Sequence, residues 1–589
     1  MEGKAGAMFR DGRGAGKLLA STLGLVLLWA GAASAQSSNV RLVGNHPDEA
    51  SQLSTSVAPG QTLHMSFTLA LRNREQLDAL LAAQQDPASP EYHRWLKPDE
   101  FTARFGPSDG DVAAVITWLE QNGFTVDSSS TSLRSVKFHS DAATAARAFA
   151  VRIAASPDGK TFANLDDPAL PQELAAKVSA IGGLSNTTLH VPMVSTSAAS
   201  IPSAGPSFSP QDVWNFYDYT TLESDGVVGT SSDCIALTEG SDIDSPSSIT
   251  GFDSSFGLPS PTITTVLVDG VDPGVVSAGN ADLEADLDIE IAHSAAPGTP
   301  IMDYVGDDNV STSDGGAIQD AIQRAVSDDL CGEISVTAAY CGGSSTFYTV
   351  VFDDIFAQAQ SQLQGVYIAS GDEGAAGLVL NVKKRECVLG SSRNISEIAA
   401  DPHVTAVGGT QFIEPPGGTS FIAESVWNDP HLVTISGQEL KIPNPGASGG
   451  GTSRYFLKPS FQTGVTPNDK HRDIPDVAFL SSELLPGYEI FFGGTLMKFI
   501  GGTSAAAPWW AGIAALVNQE AGGGSTRVGN LNQKIYTLGA AGSAGFHDVE
   551  SGNNSLHGVT GFKAVKGYDR ATGWGTPDIG LLVPALAAP

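Results

Sequence analysis

Apolar and polar positions follow one rhythm in the first third of the chain and another in the rest. Leu63–Leu71 alternates, with Met65, Phe67 and Leu69 set between His64, Ser66 and Thr68, which predicts a half-buried strand. Leu42–Val43 reads as a further strand. Arg74–Gln85 places Leu77, Leu80 and Leu81 on one stripe and predicts a helix. Pro107-Ser108-Asp109 opens a second helix over Val112–Asn122, ended by Gly123; strand Ser135–His139 and helix Ala142–Phe149 follow. This βαββαβ-like order predicts a ferredoxin-like α+β module over residues 36–192. The aromatic run at Tyr92, His93 and Trp95, with Phe101 and Phe105, reads as packing around a turn rather than a binding site.

From Ser209 onward, short apolar runs alternate with longer helical patterns. Strands are predicted at Cys234–Leu237, Ile263–Val268, Ile301–Tyr304, Ile334–Val336, Gly365–Ala369, Val404–Val407 and Val477–Leu480. Helices are predicted at Ala281–Ser294, Ser313–Asp328, Phe352–Gln362 and Ala505–Gln519. Near-continuous apolar strands with helices between them indicate an α/β fold with a doubly wound parallel sheet. Functional groups in such sheets gather beyond the carboxyl ends of the strands. Those ends carry Gly240-Ser241-Asp242, Gly371-Asp372 and Gly408-Gly409. Between the two modules, residues 193–208 are small, polar and punctuated by proline, the composition of an exposed linker open to proteolysis. A compact module ahead of a cleavable linker suggests a zymogen.

Charge and the N-terminus set the compartment. The net charge is −32, and residues 206–589 hold 16 basic against 45 acidic residues. That surface repels phosphate backbones and anionic lipid, so nucleic acid and anionic membrane surfaces are poor partner candidates. It suits an acidic medium, where carboxylates are protonated. Lys4, Arg10, Arg13 and Lys17 precede an apolar stretch from Leu18 to Ala30 and then Ala33-Ser34-Ala35. This reads as a signal peptide over residues 1–35, and the protein is expected to be secreted as a monomer without a membrane span. Cys234, Cys331, Cys341 and Cys387 allow two disulfides in three connectivities.

The candidate chemistry centres on Gly501-Gly502-Thr503-Ser504, ahead of an apolar helix, with Pro508 expected in its first turn. A serine there stands where N–H groups favour developing negative charge, which suits a nucleophile. Glu284 and Asp288 are spaced i, i+4 on a helix beside the apolar stripe of Leu283, Leu287 and Ile291; Asp286 and Glu290 form a competing pair. Asp372 ends a strand between glycines. Neither His293 nor His557 has the context of a triad base, so a Ser-His-Asp hydrolase is poorly supported.

Gly502-Thr503-Ser504 with Ala505–Pro508, Glu284 with Asp288 and Glu290, and Ser370-Gly371-Asp372 with Gly374 together resemble the sedolisin (serine-carboxyl peptidase) family, its kumamolisin-type members especially. Ala447-Ser448-Gly449-Gly450-Gly451, Pro475-Asp476-Val477 and Thr572-Gly573-Trp574-Gly575 extend the match, and Tyr92–Pro98 with Glu100 and Phe101 resembles that family's activation domain. The resemblance implies a subtilisin-like catalytic domain over 209–589, an activation prodomain over 36–192 that inhibits it intramolecularly, and protein or peptide substrates. It implies that Ser504 is the nucleophile, Glu284 the general base, Asp288 the residue that orients Glu284, and Asp372 the oxyanion donor. A glutamate of ordinary pKa, about 4.3, is a competent base in acid, where Asp372 must stay protonated to donate; activity is then expected to be bell-shaped in the acid range. One structural Ca²⁺ is implied, held by Asp548, Asp569 and the carbonyls of Val549, Val565 and Gly567, with Val565 standing where the family usually has glycine. Thr337–Gly342 also departs from the family, which often has Ser-Trp-Gly in that cleft segment. The reading from another class is a catalytically silent, calcium-binding secreted surface protein on the same fold.

Overall fold

The computed structural model describes residues 39–589 apart from 87, 197–206, 413–420, 422, 436–437, 443–444, 485, 524–525 and 589. The predicted signal peptide, its cleavage point at Ala35 and most of the predicted linker lie outside the described residues. The N-terminal module runs β1 (Thr62–Leu69), α1 (Arg74–Gln85), α2 (Pro98–Phe105), α3 (Asp109–Gln121), β2 (Thr125–Ser130), β3 (Ser135–Asp141), α4 (Ala142–Ala148) and β4 (Val178–Gly182). Its antiparallel sheet has the order β2-β3-β1-β4, the ferredoxin-like arrangement. The alternation in β1 buries Leu63, Met65, Phe67 and Leu69, and Phe67 packs with Phe138 and Phe149. Ser108 caps α3 by accepting the Asp111 N–H, while the Asp111 carboxylate returns the contact.

Two local expectations fail here. The first strand is Asn39–Arg41, and Leu42–Val43 lies past its end, where the chain turns. The segment expected to be a turn contains α2: Phe101 and Phe105 recur at i, i+4 and join Leu77, Leu80 and Leu81 in an apolar cluster that closes on Ala357.

The second module continues with β5 (Leu189–Pro192), β6 (Ser195–Thr196), β7 (Ile235–Glu239), β8 (Ile263–Leu267), α5 (Ala281–Ala295), β9 (Ile301–Val305), α6 (Gly316–Asp328), β10 (Glu333–Val336), β11 (Ala338–Cys341), α7 (Asp353–Ser361), β12 (Gly365–Ala369), β13 (Thr405–Phe412), β14 (Glu424–Val426), β15 (Val477–Leu480), β16 (Thr495–Gly501) and α8 (Thr503–Gly522). The large sheet runs β8-β9-β7-β10-β12-β13, all parallel, with β15 parallel and β14 antiparallel on β13. From β7 the chain crosses to the edge strand β8, fills in β9 between them, then returns to add β10, β12 and β13 on the other side. The order therefore reverses between β7 and β10, where an open α/β sheet has its crevice.

α8 and α5 are buried on almost every face and pack against each other. Gly512 makes the approach possible: a Cβ there would lie 2.3 Å from the Ala295 Cβ. α8 begins at Thr503, two residues before the predicted start, so Pro508 lies in the second turn rather than the first. Without an N–H, Pro508 forgoes the helical bond to the Ser504 carbonyl. Of the three possible connectivities the chain uses Cys234–Cys331 and Cys341–Cys387. Among the described residues no helix is long and apolar enough to cross a membrane.

Candidate active site

Ser504 is the second residue of α8, and its placement depends on the turn before it. Gly502 has φ 107°, and a Cβ there would meet the Met193 carbonyl oxygen at 2.0 Å and Asp372 Oδ2 at 2.7 Å. Glycine is the residue that allows the chain to pass so close. Ser504 is fully buried, and its Oγ donates to Glu284 Oε1 in a short hydrogen bond. The Thr337 carbonyl lies 3.3 Å from the same Oγ. Four residues along α5 from Glu284, Asp288 Oδ2 accepts from Thr337 Oγ1 at 2.7 Å.

Asp372 reaches the same place from beyond β12. Its Oδ1 accepts from Thr503 N–H at 2.8 Å and Thr503 Oγ1 at 2.7 Å. The loop that carries it is clamped by the 447–449 segment: Ala447 N–H donates to the Asp372 carbonyl at 2.8 Å and Gly449 N–H to the Gly371 carbonyl at 2.7 Å. Ser504, Glu284, Asp288 and Asp372 thus lie in one cluster at the carboxyl edge of the sheet. The competing pair on α5 lies elsewhere: Asp286 accepts from Asp244 N–H at 2.7 Å and Glu290 from Phe491 N–H at 2.9 Å. His293 turns its Nε2 to the Pro259 carbonyl at 2.7 Å, and among the described residues no histidine hydrogen-bonds to Ser504.

Burial dominates the electrostatics. It pushes Glu284 up to about 8, against hydrogen bonding from Ser504, Thr337 and the Met193 backbone. The expectation of an ordinary glutamate pKa therefore fails in this closed cleft, because water is excluded from the carboxylate. Burial, then repulsion from Glu239 and Glu284, raises Asp288 well above its ordinary range. Burial and the neighbouring Glu373 do the same to Asp372.

Glu239, the last residue of β7, is the group that the sequence reading missed. It is 2% exposed, is held at about 8 by burial and by Asp303, and shares a hydrogen bond with Asp288. Glu239, Asp288 and Glu284 thus lie close enough for Glu239 to raise both of the others. The available signal was an acidic residue ending an apolar parallel strand at the switch point, but Gly240-Ser241-Asp242 directly after it reads as turn chemistry. Thr337 and Thr503, which hold Asp288 and Asp372, gave no signal in the sequence.

The cleft is filled by the chain itself. β5 pairs antiparallel with β11, β6 pairs antiparallel with β16, and the Met193–Val194 segment crosses between them. The Met193 N–H donates to the Thr337 carbonyl at 3.0 Å, and the Met193 carbonyl accepts from Ser504 N–H at 3.4 Å. The Met193 side chain is buried against Ala339, Ala369 and Ala507. A cavity of about 390 Å³ continues beside Asp372, lined in part by Met193, Leu378, Leu389 and His557.

Residues 49–187 match the pro-kumamolisin activation domain. The chain is 30% identical over 566 residues to xanthomonalisin of Xanthomonas sp. (strain T-22), across 90% of this chain and 66% of that protein. It is 29% identical to sedolisin of Pseudomonas sp. (strain 101), across 89% of this chain and 87% of that one. The chain belongs to the sedolisin family of serine-carboxyl peptidases. A solved Pseudomonas sedolisin, described as a serine-carboxyl proteinase complexed with pseudo-iodotyrostatin, superposes with a TM-score of 0.54 at 27% identity, covering 65% of this chain and 98% of that one. Within this sedolisin-family fold the matched activation domain is the ferredoxin-like module, so β5 and β6 are the segment that leads out of it.

The predicted metal residues of this family member come together in the C-terminal loops. Asp548 Oδ2 accepts from Gly567 N–H at 2.7 Å, and Asp569 Oδ2 from Val565 N–H at 3.2 Å. Asp569 is 4% exposed, and burial raises it to about 6. Among the described residues no cationic side chain pairs with it, and the carbonyls of Val549, Val565 and Gly567 accept no hydrogen bond. A buried carboxylate lacking a counter-charge beside free carbonyls is a donor set that fits a hard divalent cation.

Proposed function

We propose that this chain is the zymogen of a secreted, acid-active endopeptidase that matures by cutting its own linker at Met193–Val194. In this reading Ser504 Oγ attacks the peptide carbonyl while Glu284 takes its proton. Ser504 N–H and the protonated Asp372 hold the oxyanion, and Glu284 returns the proton to the leaving amine. Water then releases the acyl group by the same route. Asp288 and Glu239 keep a proton beside Glu284, and Asp288 holds Thr337, whose carbonyl faces Ser504 Oγ. The observation that carries the reading is the Met193 carbonyl against Ser504 N–H, beside the Ser504–Glu284 pair. The antiparallel strands on both sides give the segment the pose of a substrate. With residues 36–192 as prodomain and 209–589 as catalytic domain, the linker excludes water from Glu284. In the closed cleft only the small ionised fraction of Glu284 can act, which makes the first cut slow; departure of the linker readmits water and returns Glu284 toward the carboxylate range, as rapid turnover in acid requires. Two disulfides and the acidic surface suit an oxidising exterior.

Incubating the full chain at about pH 3–5 tests this reading. Wild type is expected to yield a new N-terminus at Val194 and to cleave a quenched peptide. Ser504→Ala should stay intact and lose kcat by roughly a million-fold. Wild type that stays intact and inert across that range, or a Ser504→Ala chain that still cuts itself, would refute it. An intact, inert wild type would favour the silent calcium-binding alternative.

The same proposal assigns one structural Ca²⁺ to Asp548, Asp569 and the carbonyls of Val549, Val565 and Gly567. The ion would offset the buried Asp569 charge and tie the C-terminal loops together. EGTA is expected to lower the Tm of the Ser504→Ala chain and Ca²⁺ to restore it; an unchanged Tm removes the site.

A further inference from the structure

A second group of ligand-type side chains lies where α1 of the activation domain meets α7, apart from Ser504. Asp353 opens α7, while Asp401 and His403 belong to the loop before β13. Asp401 is fully buried, its Oδ1 accepts from His403 N–H at 2.8 Å, and its Oδ2 has no hydrogen-bond partner. One carboxylate oxygen of Asp401, one of Asp353 and a ring nitrogen of His403 all lie within 4.8 Å of one another.

His403 is already set in a ligand's tautomer. Its Nδ1 faces the acceptor Gln360 Oε1 at 2.5 Å, so Nδ1 carries the hydrogen. Nε2 then presents a lone pair to Asp353 Oδ1 at 3.8 Å. Three electron-rich atoms facing one another repel unless a proton or a cation lies among them. Metal–ligand bonds of about 2.1 Å in a tetrahedron separate the ligand atoms by about 3.4 Å, and His403 Nε2 and Asp353 Oδ1 stand 3.8 Å apart. A backbone or side-chain acceptor on the far nitrogen is the support that metal-binding histidines have. Asp353 and His403 keep 13% and 14% of their side chains exposed, which gives a cation a way in.

The charges around the group come from both modules. Arg74 of α1 contacts Asp353 Oδ2 at 2.6 Å, Asp354 at 2.6 Å and Asp78 at 2.7 Å. Arg134 is taken by Asp354 and Arg472 by Asp476. Arg74 is therefore the neighbouring cation that the cluster would lose with the activation domain.

We propose that Asp353, Asp401 and His403 form a binding site for a divalent transition cation of the zinc class, with Arg74 of the activation domain competing for Asp353. One imidazole and two carboxylates with a fourth position open to water match that class. The activation domain's hold on the catalytic domain and cation binding then oppose each other through a shared aspartate. Neither step depends on peptidase chemistry.

Co²⁺ titrated at neutral pH into the intact Ser504→Ala chain tests the proposal through its visible ligand-field absorption. The expected result is saturable binding that Zn²⁺ displaces. Arg74→Ala should tighten it at least about tenfold, while Asp401→Asn and His403→Gln should each abolish the band. Circular dichroism establishes that each variant is folded; should Asp401→Asn not fold, His403→Gln decides alone. The proposal is overturned by a band that survives His403→Gln, by its absence from every chain, or by its loss on His64→Gln. The last outcome would put the ion on the exposed His64, Asp127 and His139 group of the activation domain.

Discussion

At Asp372 the proposed chemistry depends on a single proton. Thr503 donates twice to Oδ1, so the proton belongs on Oδ2, which the Gly502 turn brings beside the Met193 carbonyl. Asparagine preserves this pattern, with its carbonyl oxygen on Thr503 and its amide as a permanent donor. Asp372→Asn is therefore expected to keep kcat within about tenfold and to lose the alkaline limb of the pH–rate profile, whereas Asp372→Ala should lower kcat by roughly 10²–10³ with KM nearly unchanged. Equal inactivity of the two variants would remove Asp372 as the donor. The sequence made the four clustered residues legible unequally. Ser504 and the Glu284/Asp288 pair could be read from a glycine turn and a helical spacing. Asp372 needed the family resemblance. Glu239 could not be read, because its nearness to Asp288 arises from strand β7 passing beside helix α5, which no local pattern records.

Among the elements, α8 against α5 is the contact on which the Ser504–Glu284 distance rests. Gly512 lets the two helices meet, and a side chain there would strike Ala295. Gly512→Val should lower ΔG of unfolding by about 1–3 kcal/mol and reduce activity through displacement of Ser504 from Glu284. Denaturant unfolding with an unchanged m value measures the first, and unaltered stability would show that the helices can separate without loss. Element periodicity was read well where one face is apolar, as in α1, whose bounds are those predicted. It was read less well where burial is complete: α8 starts two residues early, and the predicted helix at Phe352 is preceded by a wider turn at Phe347–Phe352. A run apolar on all sides has no stripe to mark its phase. Strand order is likewise invisible locally; the reversal between β7 and β10 follows from pairing at long range.

The molecule as a whole stores protons. Burial raises Glu239 and Glu284 to about 8, Asp286 and Asp303 to about 7, and Asp253, Asp314 and Asp429 to about 6. Unfolded, the same groups release their protons near pH 4. Between about 4 and 8 the folded chain binds more protons than the unfolded one, so stability is full below that window and falls as pH rises through it. The net charge of −32 acts in the same direction. The Tm of the Ser504→Ala chain should accordingly be higher at pH 4 than at pH 8 by calorimetry, and the opposite order would mean that surface ion pairs outweigh the buried carboxyls.

The strand pairings of β5 with β11 and of β6 with β16 have a kinetic meaning. A segment tethered in its own cleft is present at an effective concentration that no free peptide in dilute solution matches. Cutting such a chain is a unimolecular event, indifferent to how far the protein has been diluted. Rebinding of the severed fragment is bimolecular and weakens with every dilution. On the proposed reading, in which the protein is released into a large volume, cutting the segment that guards the cleft makes its opening a one-way step.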